Sequence, residues 1–115
     1  MFEKLKENLL GKKVAYITQL ASFDYTQLEL EYCYKKAGNT NNAVVTENVR
    51  IVNDTGNKHD PKAIAVYLFN LKIGYIPAHD TDLIRSLKNK DQPSIRLYFF
   101  NKKYRAEITI LYRQS

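Results

Sequence analysis

Residues 51–77 read Ile51-Val-Asn-Asp54-Thr-Gly-Asn57-Lys-His59-Asp60-Pro61-Lys-Ala63-Ile-Ala-Val-Tyr-Leu-Phe69-Asn-Leu-Lys-Ile-Gly74-Tyr75-Ile-Pro77, a polar loop that runs directly into two apolar segments. From Ala63 to Phe69 the side chains are apolar on both faces, with Ile64, Val66 and Leu68 on one and Ala65, Tyr67 and Phe69 on the other. Such a run predicts a central strand, covered on both sides. Asn70-Leu71 breaks the run before Lys72-Ile73-Gly74-Tyr75-Ile76. The short separation predicts a tight hairpin that Pro77 ends, because proline has no donor for the ladder. A polar loop on so rigid a support is where a binding site is expected.

The flanking sequence extends the same pattern. Lys13 to Leu20 reads as a first strand, Leu28 to Lys36 as a second with Leu28, Leu30, Tyr32 and Tyr34 on one face, and Ala43 to Val52 as a third. Phe2, Leu5 and Leu9 fall at helical spacing before Gly11 and predict a short amphipathic helix that opens the chain. Asp80 or Thr81 is a candidate cap for a helix carrying Leu83, Ile84 and Leu87, with Lys88 and Lys90 at the end the helix dipole favours for cations. Ser94 to Phe100 and Tyr104 to Leu111 predict a final hairpin across Asn101-Lys102-Lys103. The Asn-rich stretch 37–43 has turn chemistry and nothing to bury, so a loop is expected there.

Short strands in succession with one helix near the start and one after the central hairpin predict a mainly β (α+β) chain, strongly bent or closed, rather than a parallel α/β sheet. The 115 residues suffice for one domain with one modest core and are too few for two ordinary ones, so residues 1–115 are expected to form a single unit.

Lys and Arg outnumber Asp and Glu by 18 to 12, giving a formal charge of +6. The excess concentrates in the C-terminal third, where Arg85, Lys88, Lys90, Arg96, Lys102, Lys103, Arg105 and Arg113 stand against only Asp91 and Glu107. An anionic partner fits that asymmetry. The single cysteine, Cys33, excludes an internal disulfide and is expected to be a small buried hydrophobe. No apolar run approaches the roughly 20 residues of a membrane span, and Glu3 and Glu7 interrupt the N-terminal pattern in a way unlike a secretory signal. A cytoplasmic, intracellular protein without a membrane partner is expected.

The stretch Asn57-Lys58-His59-Asp60-Pro61-Lys62-Ala63-Ile64-Ala65-Val66, followed by Ile73-Gly74-Tyr75-Ile76-Pro77, resembles the HIRAN domain. That family carries Asn-x-Tyr-Asp-Pro-Asn-Ala-Ile-Ala-Val and, after a short turn, Gly-Tyr-Ile-Pro. The strong part covers about a fifth of the chain. The resemblance implies a modified OB-like barrel that captures the free 3′ end of single-stranded DNA, without catalysis and without a cofactor or metal, as in DNA repair or replication. It carries over residue by residue. Asn57 would contact phosphate or sugar, and Asp60 would accept from the terminal 3′-hydroxyl. His59 stands where the family has a stacking Tyr, and imidazole offers a smaller platform. Tyr104, beside Lys102, Lys103 and Arg105, falls where the family has an aromatic against the terminal base. Tyr16 matches another stacking Tyr, whereas Ala15 stands where a phosphate-binding Arg is found.

Two His-Asp dipeptides, His59-Asp60 and His79-Asp80, also raise a metal-dependent hydrolase, but the chain has no further His to complete such a site. A Gly-rich phosphate loop, a nucleophile elbow and a Cys/His pairing are all missing from the sequence. In larger relatives the module accompanies a helicase or nuclease motor, so a separate partner of that kind is an expectation here. The competing reading is a protein-interaction module, an adaptor or inhibitor of a nucleic-acid enzyme on the same scaffold.

Overall fold

The computed structural model describes residues 13–38, 44–87 and 90–113. The helix expected around Phe2, Leu5 and Leu9 lies outside these residues, as does the loop expected at 37–43 beyond Gly38. Within them the elements run β1 (Lys13–Gln19), α1 (Gln27–Lys36), β2 (Val44–Thr46), β3 (Val49–Asn53), β4 (Ile64–Leu68), β5 (Leu71–Tyr75), α2 (Thr81–Ser86), β6 (Ser94–Phe100) and β7 (Lys103–Arg113). Single 3-10 turns precede the two helices, at Phe23–Tyr25 and Ala78–Asp80.

The chain is mainly β, and its strands form two antiparallel sheets, ordered β1-β7-β6-β2 and β3-β4-β5, rather than one closed barrel. β4 is the central strand of the second sheet, as its two apolar faces predict. The turn that follows is Phe69-Asn70, one residue earlier than the expected break, and both residues have positive φ (50° and 66°). Two left-handed residues in a two-residue connection match the right-handed twist of the strands they join. Asn101 and Lys102, with φ of 52° and 65°, make the corresponding turn between β6 and β7.

Two expectations are overturned. Residues 27–36 form a helix, not a strand. The alternation of Leu28, Leu30, Tyr32 and Tyr34 imitates a half-buried strand, yet Leu28 is 78% exposed and Leu30 is 0% exposed. The residues that reach the core are Leu30, Cys33 and Tyr34, spaced for one face of a helix that packs on β5, β6 and β7. Glu29 in the first turn, Lys35 and Lys36 in the last, and a Glu31–Lys35 ion pair (2.8 Å) suit the helix further. The second correction concerns 43–52, expected as one strand. Glu47 and Asn48 interrupt it, the Glu47 carbonyl accepting from the Val49 N–H (2.8 Å), and the two pieces enter different sheets.

One hydrophobic core fills the space between the sheets and α1. Ile95, Leu97, Ala106, Ile108 and Ile110 come from the first sheet, and Ile64, Val66, Leu68 and Ile73 from the second. Cys33 is fully buried there, and burial pushes its thiol up to about 11, so it is the inert small hydrophobe expected.

The sheets meet at one corner. After β1 the chain continues through Leu20 and Ala21, and Ala21 exchanges both backbone hydrogen bonds with Tyr75 at the end of β5 (2.8 and 3.0 Å). Gly74 makes the approach feasible: a Cβ there would lie 2.9 Å from the Ala21 carbonyl oxygen and 3.1 Å from the Leu20 Cβ. Below this corner β1 no longer covers β7, and the Gln27 side chain replaces it. Its amide donates to the Tyr104 carbonyl (2.8 Å), while its oxygen accepts from the Tyr104 N–H (2.8 Å).

Candidate functional site

The loop between β3 and β4 is shaped by short polar side chains acting on nearby backbone. The Asn57 side-chain oxygen accepts from the N–H of His59 (2.8 Å) and of Asp60 (3.0 Å), which folds the loop back on itself. Asp60 repeats the device with Oδ1, which accepts from the Lys62 N–H (2.9 Å) just after Pro61. Its second oxygen, Oδ2, takes part in no hydrogen bond among the described residues, and the side chain lines a groove. The Asn57 amide instead points inward, to Asp54 Oδ2 (3.5 Å) and the Tyr75 hydroxyl (3.4 Å).

Those contacts tie the loop to the hairpin beside it. The Tyr75 hydroxyl donates to Asp54 Oδ2 (2.9 Å) and accepts from Lys72 Nζ (2.9 Å). Lys72 also stands over the Tyr75 ring, 5.2 Å from its centroid. The hydrogen bond to Tyr75 raises the Lys72 pKa, which keeps the ammonium charged. β4 and β5 thus hold a lysine and a tyrosine ring against the polar loop.

Asn57, His59, Asp60, Lys72 and Tyr75 line a common groove of about 920 Å³. Its opposite side comes from the corner after β1 and the start of α1, including Ala21, Tyr25, Thr26 and Glu29. Thr26 is held there because its hydroxyl donates to the Ile73 carbonyl (2.6 Å), where Ile73 is the extra residue of a bulge opposite Val66 and Tyr67. The groove is therefore built on the corner where the two sheets meet.

The remaining residues singled out in the sequence lie elsewhere. Tyr16 is on β1, its ring packed against the core and its hydroxyl donating to Asp80 Oδ2 (2.7 Å). Burial, and then this hydrogen bond, pushes its phenol well above the ordinary tyrosine range. The same contact takes the Asp80 carboxylate away from the expected capping role, and α2 has no side-chain cap bond. Tyr104 packs its half-buried ring on Tyr34 (5.6 Å between centroids) and edge-on against Phe99 (4.8 Å). It does not line the groove, and neither do Lys102, Lys103 and Arg105. Lys103 is paired with Asp24, and Arg105 lies over the Phe23 ring (4.8 Å) with its Nε donating to the Phe100 carbonyl (3.1 Å).

The structure thus brings together Asn57, His59 and Asp60, and separates them from Tyr16 and from the cations of the β6–β7 hairpin. Lys72 and Tyr75 join the groove without a binding role expected of either, although Tyr75 stands in the Gly74-Tyr75-Ile76-Pro77 motif. Their signal in the sequence was the position of a Lys and a Tyr three apart on a hairpin entered from the polar loop. His79 Nε2 lies 3.5 Å from Asp80 Oδ1. Among the described residues no group of three or more His, Cys, Asp or Glu could hold a metal ion, and no helix is long and apolar enough to cross a membrane. Comparison of the chain with family models, with curated proteins and with solved structures gives no match.

Proposed function

We propose that this chain binds single-stranded DNA without catalysis and takes a free 3′-hydroxyl end in the groove beside His59 and Asp60. The observation that carries the reading is the half-engaged Asp60 carboxylate: Oδ1 holds the turn, Oδ2 has no hydrogen-bond partner among the described residues, and the side chain lines the groove. A terminal hydroxyl is a donor that would satisfy this oxygen, whereas a 3′-phosphate would bring like charges together. The Lys72 ammonium and the Tyr75 ring supply a cation and an aromatic in the same groove, the pairing that single-strand binding uses. His59, exposed at the rim, offers a ring for the last base. Asn57 acts in this proposal by shaping the loop, since its side-chain oxygen is already occupied by two N–H groups.

Membership of the HIRAN family and an OB-like architecture belong to the same proposal. What supports the architecture is the Ala21–Tyr75 bridge, which links the two sheets at one corner as a strongly bent sheet would. A separate helicase or nuclease would supply any motor activity.

Fluorescence anisotropy with a labelled single strand tests the reading. Wild type is expected to prefer a 3′-hydroxyl over a 3′-phosphate end by roughly tenfold or more, the range of a hydrogen bond to a charged group. Asp60→Asn, which keeps the turn but removes the charge, is expected to lose most of that preference with an unchanged melting temperature. Equal affinity of wild type for both ends would reject end recognition.

A second reading, a protein-interaction module, draws on the apolar outer side of α1, where Leu28 is 78% and Tyr32 53% exposed. Steep weakening with salt and displacement by unlabelled oligonucleotide separate DNA binding from it.

A further inference from the structure

The outer face of the second sheet carries a row of alternating cations and rings that leads into the groove. Arg50 on β3 is the direct partner of Tyr67 on β4, and Tyr67 is the direct partner of Lys72 on β5. Facing residues in adjacent strands share a face, so the three side chains stand side by side across two strand spacings, about 10 Å. The Arg50 guanidinium lies over the Tyr67 ring, 4.8 Å from its centroid, and Lys72 in turn lies over Tyr75. The order along the surface is Arg50, Tyr67, Lys72, Tyr75, and then the loop of Asn57, His59 and Asp60.

This row is open to solvent rather than closed into the core: Arg50 and Lys72 are exposed, and Tyr67 and Tyr75 are half-buried. A second depression, of about 400 Å³, lies at its Arg50 end between Asn48, Val49, Arg50, Tyr67, Asn70 and Gln92. Asn70 lines this depression and the main groove alike, so the two adjoin. Carboxylates beside the row include Asp54, whose Oδ2 accepts from the Tyr75 hydroxyl, and Asp91, which shares a further depression with Arg50 and is paired with Lys13 (2.7 Å). Glu29, at the start of α1, also lines the groove.

We infer that this row is a track for the DNA strand on the 5′ side of the captured end, running from the groove over β5 and β4 to Arg50 on β3. The inference rests on the proposed end binding and adds a path and a direction to it. Bases are stacked by aromatic faces and by guanidinium planes, while phosphates are drawn to ammonium and guanidinium groups. Arg50, supported from beneath by Tyr67, serves both purposes. Lys72 lies between the rings and sits where a phosphate passes from the track into the groove. Tyr67 is a positioning residue, acting through Arg50.

The test compares a 3′-hydroxyl DNA of about four nucleotides with one of about twelve, within the range of single-strand site sizes. Wild type is expected to bind the longer strand more tightly. Arg50→Ala is expected to weaken the longer strand by roughly five- to a hundredfold, the scale of one lost stacking contact. It should also reduce the salt slope for that strand by about 0.7, one phosphate contact, and leave the short strand unchanged. Tyr67→Leu, which keeps an apolar side chain on β4, is expected to weaken the longer strand in the same direction with the salt slope intact. Melting curves verify that both variants are folded. Should Arg50→Ala and Tyr67→Leu bind both lengths as wild type does, while the hydroxyl preference persists, the track is wrong and the end site stands. Absence of binding by wild type to either strand overturns both.

Discussion

The Tyr16 phenol and the Asp80 carboxylate, 64 positions apart in the chain, form a 2.7 Å hydrogen bond between β1 and the turn that leads into α2. Its partners are a half-buried hydroxyl and a carboxylate that would otherwise cap the helix. A hydrogen bond to a charged acceptor is worth about 1.5–3 kcal/mol, so Tyr16→Phe is expected to cost roughly 1–2 kcal/mol in urea unfolding at neutral pH. The pH dependence has a definite sign. Because folding raises the Tyr16 pKa, the contribution is fully present below the unfolded value near 10 and fades as pH rises above it. The stability gap between wild type and Tyr16→Phe should therefore narrow when the unfolding is repeated above pH 10. A gap that stayed constant or widened would show that the phenol is not held neutral by this contact. The family resemblance implies stacking for Tyr16, and the sequence offers Asp80 or Thr81 as the cap. Neither role shows in the residues alone, because each depends on a partner that only folding supplies.

At the scale of elements, α1 is where periodicity misled. Four apolar residues at spacing two, from Leu28 to Tyr34, match a strand, while three at Leu30, Cys33 and Tyr34 match a helix. Both patterns coexist in ten residues. The competing signals differ in what they predict for Leu28, which the strand pattern buries with Leu30 and the helix exposes. Leu30→Ala is expected to cost about 2–5 kcal/mol by leaving a cavity in the core. Leu28→Lys should change stability by no more than about 0.5 kcal/mol, as for other exposed positions. Chemical denaturation of the two variants checks the pair, and comparable losses would restore the strand. Charge placement at the helix ends was the readable clue, with Glu29 early and Lys35 and Lys36 late. The hairpins and α2 were easier, since each is bracketed by its own turn residues and needs no distant partner to be specified.

For the whole molecule, the decisive contact is the corner where Ala21 pairs with Tyr75. It joins two sheets that the chain enters far apart, and it forms one side of the groove that contains His59 and Asp60. Gly74 has no positive φ to explain it; the close approach of Leu20 and Ala21 does. A methyl group at Gly74 would meet backbone rather than a flexible side-chain end, so Gly74→Ala is expected to destabilise by about 1–3 kcal/mol through overpacking. The same substitution should weaken the proposed DNA binding even under conditions where the protein remains folded, since opening the corner widens the groove. Thermal unfolding together with anisotropy checks both, and a neutral Gly74→Ala in the two assays would remove the corner as the element that sets the groove.

What the sequence by itself determined is what local chemistry specifies: the central strand β4 from its two apolar faces, the hairpins from their turn residues, the helix after Pro77, and the polar Asn57–Asp60 loop set against a buried strand. Tertiary structure decided the helical state of 27–36, the division of 43–52 between two sheets, and which side chains share a groove. The physical reason is range. A turn or an alternating face is encoded within a few residues, whereas the choice between two periodicities, the sharing of one groove by Asp60 and Lys72, and the pairing of Ala21 with Tyr75 are settled by packing between separate segments.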